Sequence, residues 1–110
     1  MPRPKRLDIA SQIYHVLNRA NARLQIFDQQ IDYEEYLETL NEGLNKFDVN
    51  LYSYEIMPNH WHHVMSPKKD GELSRLMHWV SMTHTQRWHA RRGTRGSGHF
   101  YQGRFKSFLI

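Results

Sequence analysis

The chain has no cysteine, which excludes disulfides and any metal site built on thiolates but leaves the compartment open. It has no apolar run approaching a membrane span. The basic start MPRPKR is followed by no apolar stretch, so it does not read as a secretory signal. A cytoplasmic protein with no membrane partner is the expectation. Acidic residues are also missing from a long stretch. All eleven Asp and Glu lie at or before Glu72, where they face eight Lys or Arg; from Leu73 onward there are seven Lys or Arg and no acid. A basic half carrying four further histidines and several aromatics fits a polyanion such as nucleic acid. The plainer reading is a solvated basic helix face.

What is present describes a folded domain. At 110 residues one domain is expected, and 39% hydrophobic with 13% aromatic residues is too rich for a disordered segment. Residues 1–10 read as a mobile arm or edge. From Ile13 to Arg19 the residues alternate, Tyr14, Val16 and Asn18 against Ile13, His15, Leu17 and Arg19, which predicts a strand. Asp28 is the expected cap of a helix. That helix buries Tyr33, Tyr36, Leu37, Leu40, Leu44 and Phe47 and turns Glu34, Glu35, Glu38 and Glu42 to solvent. Val49–Met57 and His60–Ser66 read as two antiparallel strands joined by a Pro58-Asn59 turn. A second helix is expected from about Leu73 to Arg91, ended by Gly93–Gly98, and a fourth strand begins between His99 and Ile110. The order β-α-β-β-α-β predicts an α+β, ferredoxin-like domain over 1–110, an antiparallel sheet with both helices on one face. That fold serves many activities, so function must be argued from the site.

The densest chemistry is in MPNHWHHVM, residues 57–65. On a strand, side chains at i and i+2 share a face. His60 and His62 therefore point one way, and Trp61 and His63 the other. Two neutral imidazoles side by side can hold one divalent ion, with a third ligand supplied from elsewhere. The alternative is a pair of surface histidines without a ligand. A bound ion beside a basic surface would act as a Lewis acid on a phosphodiester, but the motif supplies no nucleophile.

MPNHWHHVM resembles the His-hydrophobic-His motif of the single-tyrosine transposases of the insertion-sequence-200-like and REP-associated type. YHVLNRANARLQIF at 14–27 resembles that family's first strand and loop, and THTQRWHARRGTRGSGHFYQGRFKSF at 83–108 its second helix and next strand. The resemblance implies a nuclease that cuts and rejoins single-stranded or hairpin DNA. In it, a tyrosine hydroxyl attacks phosphorus, leaving a 5′-phosphotyrosine and a free 3′-OH. Mg²⁺ or Mn²⁺ sits on the two motif histidines, here His60 and His62. His63 departs from the family's usual aliphatic residue and is not counted as a ligand. The resemblance places the tyrosine on a helix after FYQGRFKS, with a polar metal ligand one turn beyond it. The chain stops at Ile110 before such a helix, and Leu109 stands where the family has proline. The expectation is thus a transposase domain truncated before its nucleophile, with no catalytic residue of its own, or a catalytically inactive DNA-binding remnant.

Arg19, Arg87, Arg91, Arg92, Arg95, Arg104 and Lys106 are the expected DNA contacts. For Arg87, Arg91 and Arg92 the alternative is a favourable interaction with the helix C-terminus; for Arg19 it is a turn-stabilising role. Tyr101 lies near Arg104 and Lys106 but reads as a packed strand aromatic. Tyr14, Tyr33, Tyr36, Tyr52 and Tyr54 read as core. Family members form dimers that exchange active-site helices, so a homodimer is considered as a partner. An RNA-binding sheet would carry exposed RNP-like aromatics, and none is found. A zinc hydrolase on H-x-H-H is disfavoured because the spacing splits the histidines between two faces.

Overall fold

The chain is described by a computed structural model covering residues 7–21, 24–94 and 100–110. Residues 1–6 of the expected arm, residues 95–98 of the expected glycine break, and Arg95 with it, lie outside these. Six elements follow in the order expected: β1 (Tyr14–Arg19), α1 (Gln30–Lys46), β2 (Val49–Met57), β3 (His60–Pro67), α2 (Glu72–Arg92) and β4 (Lys106–Leu109). The sheet order is β2-β3-β1-β4, and every neighbouring pair is antiparallel. The α+β, ferredoxin-like expectation holds.

Alternation fixes the faces of the sheet. Tyr14, Val16 and Asn18 of β1 and Trp61, His63 and Met65 of β3 are buried beneath the helices. Tyr36 of α1 stacks on Trp61 with centroids 5.8 Å apart, and Leu73, Leu76, Met77 and Val80 of α2 complete the core. The opposite face, with His15, Leu17, His60, His62 and Val64, carries no helix among the described residues. Ladder register places Glu55 opposite His62, Arg19 opposite His60, and Lys106 opposite Leu17.

Three local expectations are corrected. Gln29, not Asp28, is the N-cap of α1. The carboxylate of Asp32, in the first turn, reaches back and accepts the N–H of Asp28 and of Gln29, both at 2.9 Å. A residue already inside the helix thus reaches back to the amides of the cap and of the residue before it, the reciprocal half of a capping box. Residues 8–10 are not a free arm. Asp8 accepts the N–H of Leu73 (3.2 Å) and Ser74 (2.7 Å), and the N–H of Ala10 reaches Asp70. The α2 N-cap is Gly71, which has no side chain to cap with, so a distant carboxylate takes that place. Finally, Tyr52 and Tyr54 are not core: they are 59% and 53% exposed on edge strand β2. A register shift between Leu51 and Ser53 breaks the alternation there.

The close approach of the helices depends on Gly43. A Cβ there would meet Leu76 Cδ1 at 2.7 Å and Val80 Cγ2 at 2.9 Å, and both partners are fully buried. Gly43→Leu is expected to cost about 3 kcal/mol, because over-packing outweighs the roughly 1 kcal/mol gained in helix propensity. Urea unfolding would read this; an unchanged midpoint would show that α1 and α2 can part at no cost.

Candidate metal and nucleic-acid face

His60 and His62 lie together on the open face of β3, both partly exposed, their rings edge-on with centroids 4.9 Å apart. Each has one ring nitrogen engaged. Nδ1 of His60 meets Oδ1 of Asn59 at 2.8 Å, in the Pro58-Asn59 turn. Nδ1 of His62 meets Nε2 of His15 at 3.0 Å. Neither Nε2 has a hydrogen bond among the described residues. An oxygen acceptor at Nδ1 of His60 fixes the proton there and leaves Nε2 as a lone pair, the form that binds a cation. Burial, and then the neighbouring His60 and His15, hold the pKa of His62 below the ordinary imidazole value, so it is neutral at neutral pH.

Among the described residues, no group of three or more His, Asp or Glu is gathered to hold an ion. The donors are therefore the two imidazoles of His60 and His62. That set does not fit a closed four-ligand zinc site; it fits an open site whose remaining positions take oxygens of substrate, solvent or another segment. His60 and His62 would hold Mg²⁺ or Mn²⁺ in that arrangement.

Beside the pair, the end of β1 is clamped from both sides. The N–H of Ala20 donates to Asn59 O (2.8 Å), and the N–H of Gln102 to Arg19 O (2.8 Å). Asn18, buried, donates through Nδ2 to Gly103 O at 3.2 Å and accepts the N–H of Arg19 at 2.8 Å. These bonds bring the 100–105 segment against β1. They form a cleft of about 560 Å³ lined by Arg19, Arg104 and Lys106 together with Asn18 and Gln102. Three cations thus line one cleft, and one of them, Arg19, stands opposite His60 in the β1–β3 ladder.

The other expected DNA contacts sit elsewhere. Arg87, Arg91 and Arg92 lie in the helical layer, across the sheet from His60. Arg87 pairs with Glu42 and donates to Thr39 Oγ1 at 3.1 Å. Arg91 pairs with Asp32 and with Glu35 at 3.2 Å. Arg92 pairs with Asp32 at 2.9 Å and lies 3.9 Å over the Trp88 ring. Glu35 and Glu42, expected to be solvated, are thus partners in ion pairs between the helices.

Four of the tyrosines separate from the face that carries His60 and His62. Tyr101 is buried; its hydroxyl accepts the indole N–H of Trp61 (3.1 Å) and shares a hydrogen bond with Nδ1 of His84 (2.8 Å). Burial pushes its phenol far above the ordinary range, the wrong direction for a nucleophile. Tyr14 and Tyr36 are buried, and Tyr54 pairs with His63 and so belongs to the other side of the sheet. Sequence reasoning missed His15 and Glu55. Both were legible as open-face candidates, His15 by alternation with Leu17 and Arg19, but a single strand's alternation does not say which neighbour it meets.

A four-stranded antiparallel sheet with one helix-covered face, and a histidine pair beside a basic cleft on the other, defines a candidate metal-assisted nucleic-acid domain. The family model described as IS200-like transposase matches residues 8–110, and the chain belongs to that family. It is similar to a solved REP-associated tyrosine transposase bound to a REP hairpin, with a TM-score of 0.75 and 14% identity, over 100% of this chain. The chain spans only 62% of that protein's length. It is likewise similar to a putative transposase from Deinococcus radiodurans R1, with a TM-score of 0.74 and 12% identity over 99% of this chain and 86% of the other. At these identities the likeness is one of fold. No curated protein matches the chain. No described helix is long and apolar enough to cross a membrane.

Proposed function

We propose that the chain is the metal- and DNA-binding part of a transposase that cleaves and rejoins single-stranded, hairpin-forming DNA in the cytoplasm. The observation that carries this reading is the open-face pair His60 and His62, each with Nε2 uncommitted among the described residues, with Arg19 of the Arg19, Arg104 and Lys106 cleft opposite His60. When bound, Mg²⁺ or Mn²⁺ would supply Lewis-acid polarisation of the scissile phosphate. His60 and His62 hold the ion's position, Asn59 orients His60, and the three cations hold flanking phosphates in register. Tyr14, Tyr36 and Tyr101 are buried, Tyr54 lies on the other side of the sheet, and no tyrosine lines the cleft, so none of these four is placed to attack. A second reading, a DNA-binding domain that does not cut, is favoured by the same fact, because the cleft is formed within the described residues and no tyrosine lines it.

Mn²⁺ titration followed by electron paramagnetic resonance tests the metal half. His60→Ala or His62→Ala is expected to weaken binding by more than about 100-fold, beyond the cost of losing a supporting residue alone. His63→Ala, on the other face, leaves the affinity of the folded protein unchanged. Equal losses from all three would refute the assignment of faces. The DNA half is read by native-gel titration with hairpin oligonucleotides: Arg19→Ala and Lys106→Ala should each reduce the salt slope of binding by about one. A covalent protein–DNA adduct in denaturing gels would support the cutting reading, and a shift without an adduct the binding one.

A further inference from the structure

His15 and His62 meet in a way that ordinary cross-strand packing does not require. In the β1–β3 ladder, His15 stands opposite Val64 and His62 opposite Leu17, so the two are diagonal neighbours on the open face. Their rings are within 13° of parallel with centroids 5.1 Å apart, yet Nε2 of His15 is 3.0 Å from Nδ1 of His62. Face-stacked rings cannot bring atoms closer than about 3.5 Å. The rings therefore lie side by side in nearly one plane, which points an N–H of one at the lone pair of the other. The aromatic ring of Phe108, from the partner strand β4, lies 6.5 Å from His15 on its other side and limits its swing.

A neutral imidazole has one N–H and one bare nitrogen. Two arrangements satisfy the contact. If His15 donates, Nδ1 of His62 is the acceptor, and the His62 proton must sit on Nε2, where it blocks a cation. If His62 donates from Nδ1, its Nε2 is bare. The second arrangement repeats what the Asn59 oxygen imposes on His60, so both histidines would present the same nitrogen to the same side.

We propose that His15 is a positioning residue: it accepts the Nδ1–H of His62 and so holds His62 in the tautomer whose Nε2 can ligate a divalent cation. The consequence for metal binding rests on the proposed role of His60 and His62; the tautomer itself does not. His15 touches no substrate and is not a ligand. Its partner is chosen by the sheet register, so the device is built into the strand pairing and not into the H-x-H motif.

The test is a two-bond proton–nitrogen correlation spectrum of the metal-free protein at about pH 8, above the ordinary imidazole range. The wild type is expected to show His62 protonated at Nδ1 and bare at Nε2. His15→Phe keeps a ring in place but removes the acceptor; His62 should then shift toward Nε2–H, and Mn²⁺ affinity should fall by about 10–100-fold. His15→Gln restores an acceptor oxygen and should recover most of both. A wild-type His62 protonated at Nε2 would overturn the proposal, as would a His15→Phe protein with the wild-type tautomer. If His60→Ala and His62→Ala leave Mn²⁺ binding intact, the metal reading fails while the spectrum still decides the role of His15.

Discussion

Asp32→Ala is expected to destabilise the protein by about 4 kcal/mol, the range found when one partner of a buried ion pair is removed. The carboxylate is fully buried and serves four donors: the amides of Asp28 and Gln29, and the guanidinium groups of Arg91 and Arg92. Removing it uncaps α1, frees two charges in a partly buried space and loosens α1 from α2. Burial alone would raise its pKa. The two amides and two arginines outweigh that and hold the pKa at about 2. Because the folded pKa is depressed, its contribution is present above the unfolded value of 3.8 and is lost as the pH falls through 2. That contribution is about 2 kcal/mol. Urea unfolding at pH 7 checks the substitution. A loss under about 1 kcal/mol, the ordinary cost of a missing cap, would mean that Arg91 and Arg92 find other partners.

Acid should unfold the wild type well before Asp32 is protonated. His63 and His84 are 1% and 0% exposed, and burial lowers the pKa of each to about 3. Nδ1 of His63 and Nε2 of His84 have no hydrogen-bond partner among the described residues, so burial outweighs what would favour a charge on either ring. In the unfolded chain both take up protons below about 6.5. Stability from keeping them neutral is therefore complete above pH 6.5 and is lost progressively as the pH falls toward 3. Between pH 7 and pH 5 the expected loss is about 2 kcal/mol for each, about 4 kcal/mol together. Denaturant midpoints at the two pH values measure it. His84→Gln should unfold more readily at pH 7, yet lose only about half as much between pH 7 and pH 5. The same pH dependence in the variant and the wild type would place the acid sensitivity elsewhere.

The parts of this molecule that are legible in the sequence are those governed by periodicity within one segment. Alternation gave the two faces of β1 and set His60 and His62 against Trp61 and His63, as the burial pattern shows. Three- and four-residue steps located both helices, although the buried stripe of α1 contains Asp32, Thr39 and Gly43, residues that a search for apolar positions passes over. Periodicity names a face and not the neighbour across it. The partners of Arg87, Arg91 and Arg92, the bond between His15 and His62, and the convergence of Arg19 with Arg104 all depend on contacts between distant segments. Charge at Arg91 looks the same in sequence whether it meets a phosphate or a carboxylate. Tyr52 and Tyr54 were misread for a related reason: their strand lies at the sheet edge, and edge position is a property of the strand order.

β1 is a central strand, yet it is made first. It pairs with β3, and at Leu17 with Lys106 near the other end of the chain. Until those partners emerge, neither of its edges can be satisfied, and each pairing must close a long loop before it gains any contact. The β2–β3 hairpin, joined by a two-residue turn, can form earlier and carries His60 and His62 with it. His15 and Arg19 then join the face when β1 docks. The cleft closes last, when the 100–105 segment arrives. A nascent or nicked chain would therefore display the histidine pair before it had assembled the basic cleft of Arg19, Arg104 and Lys106.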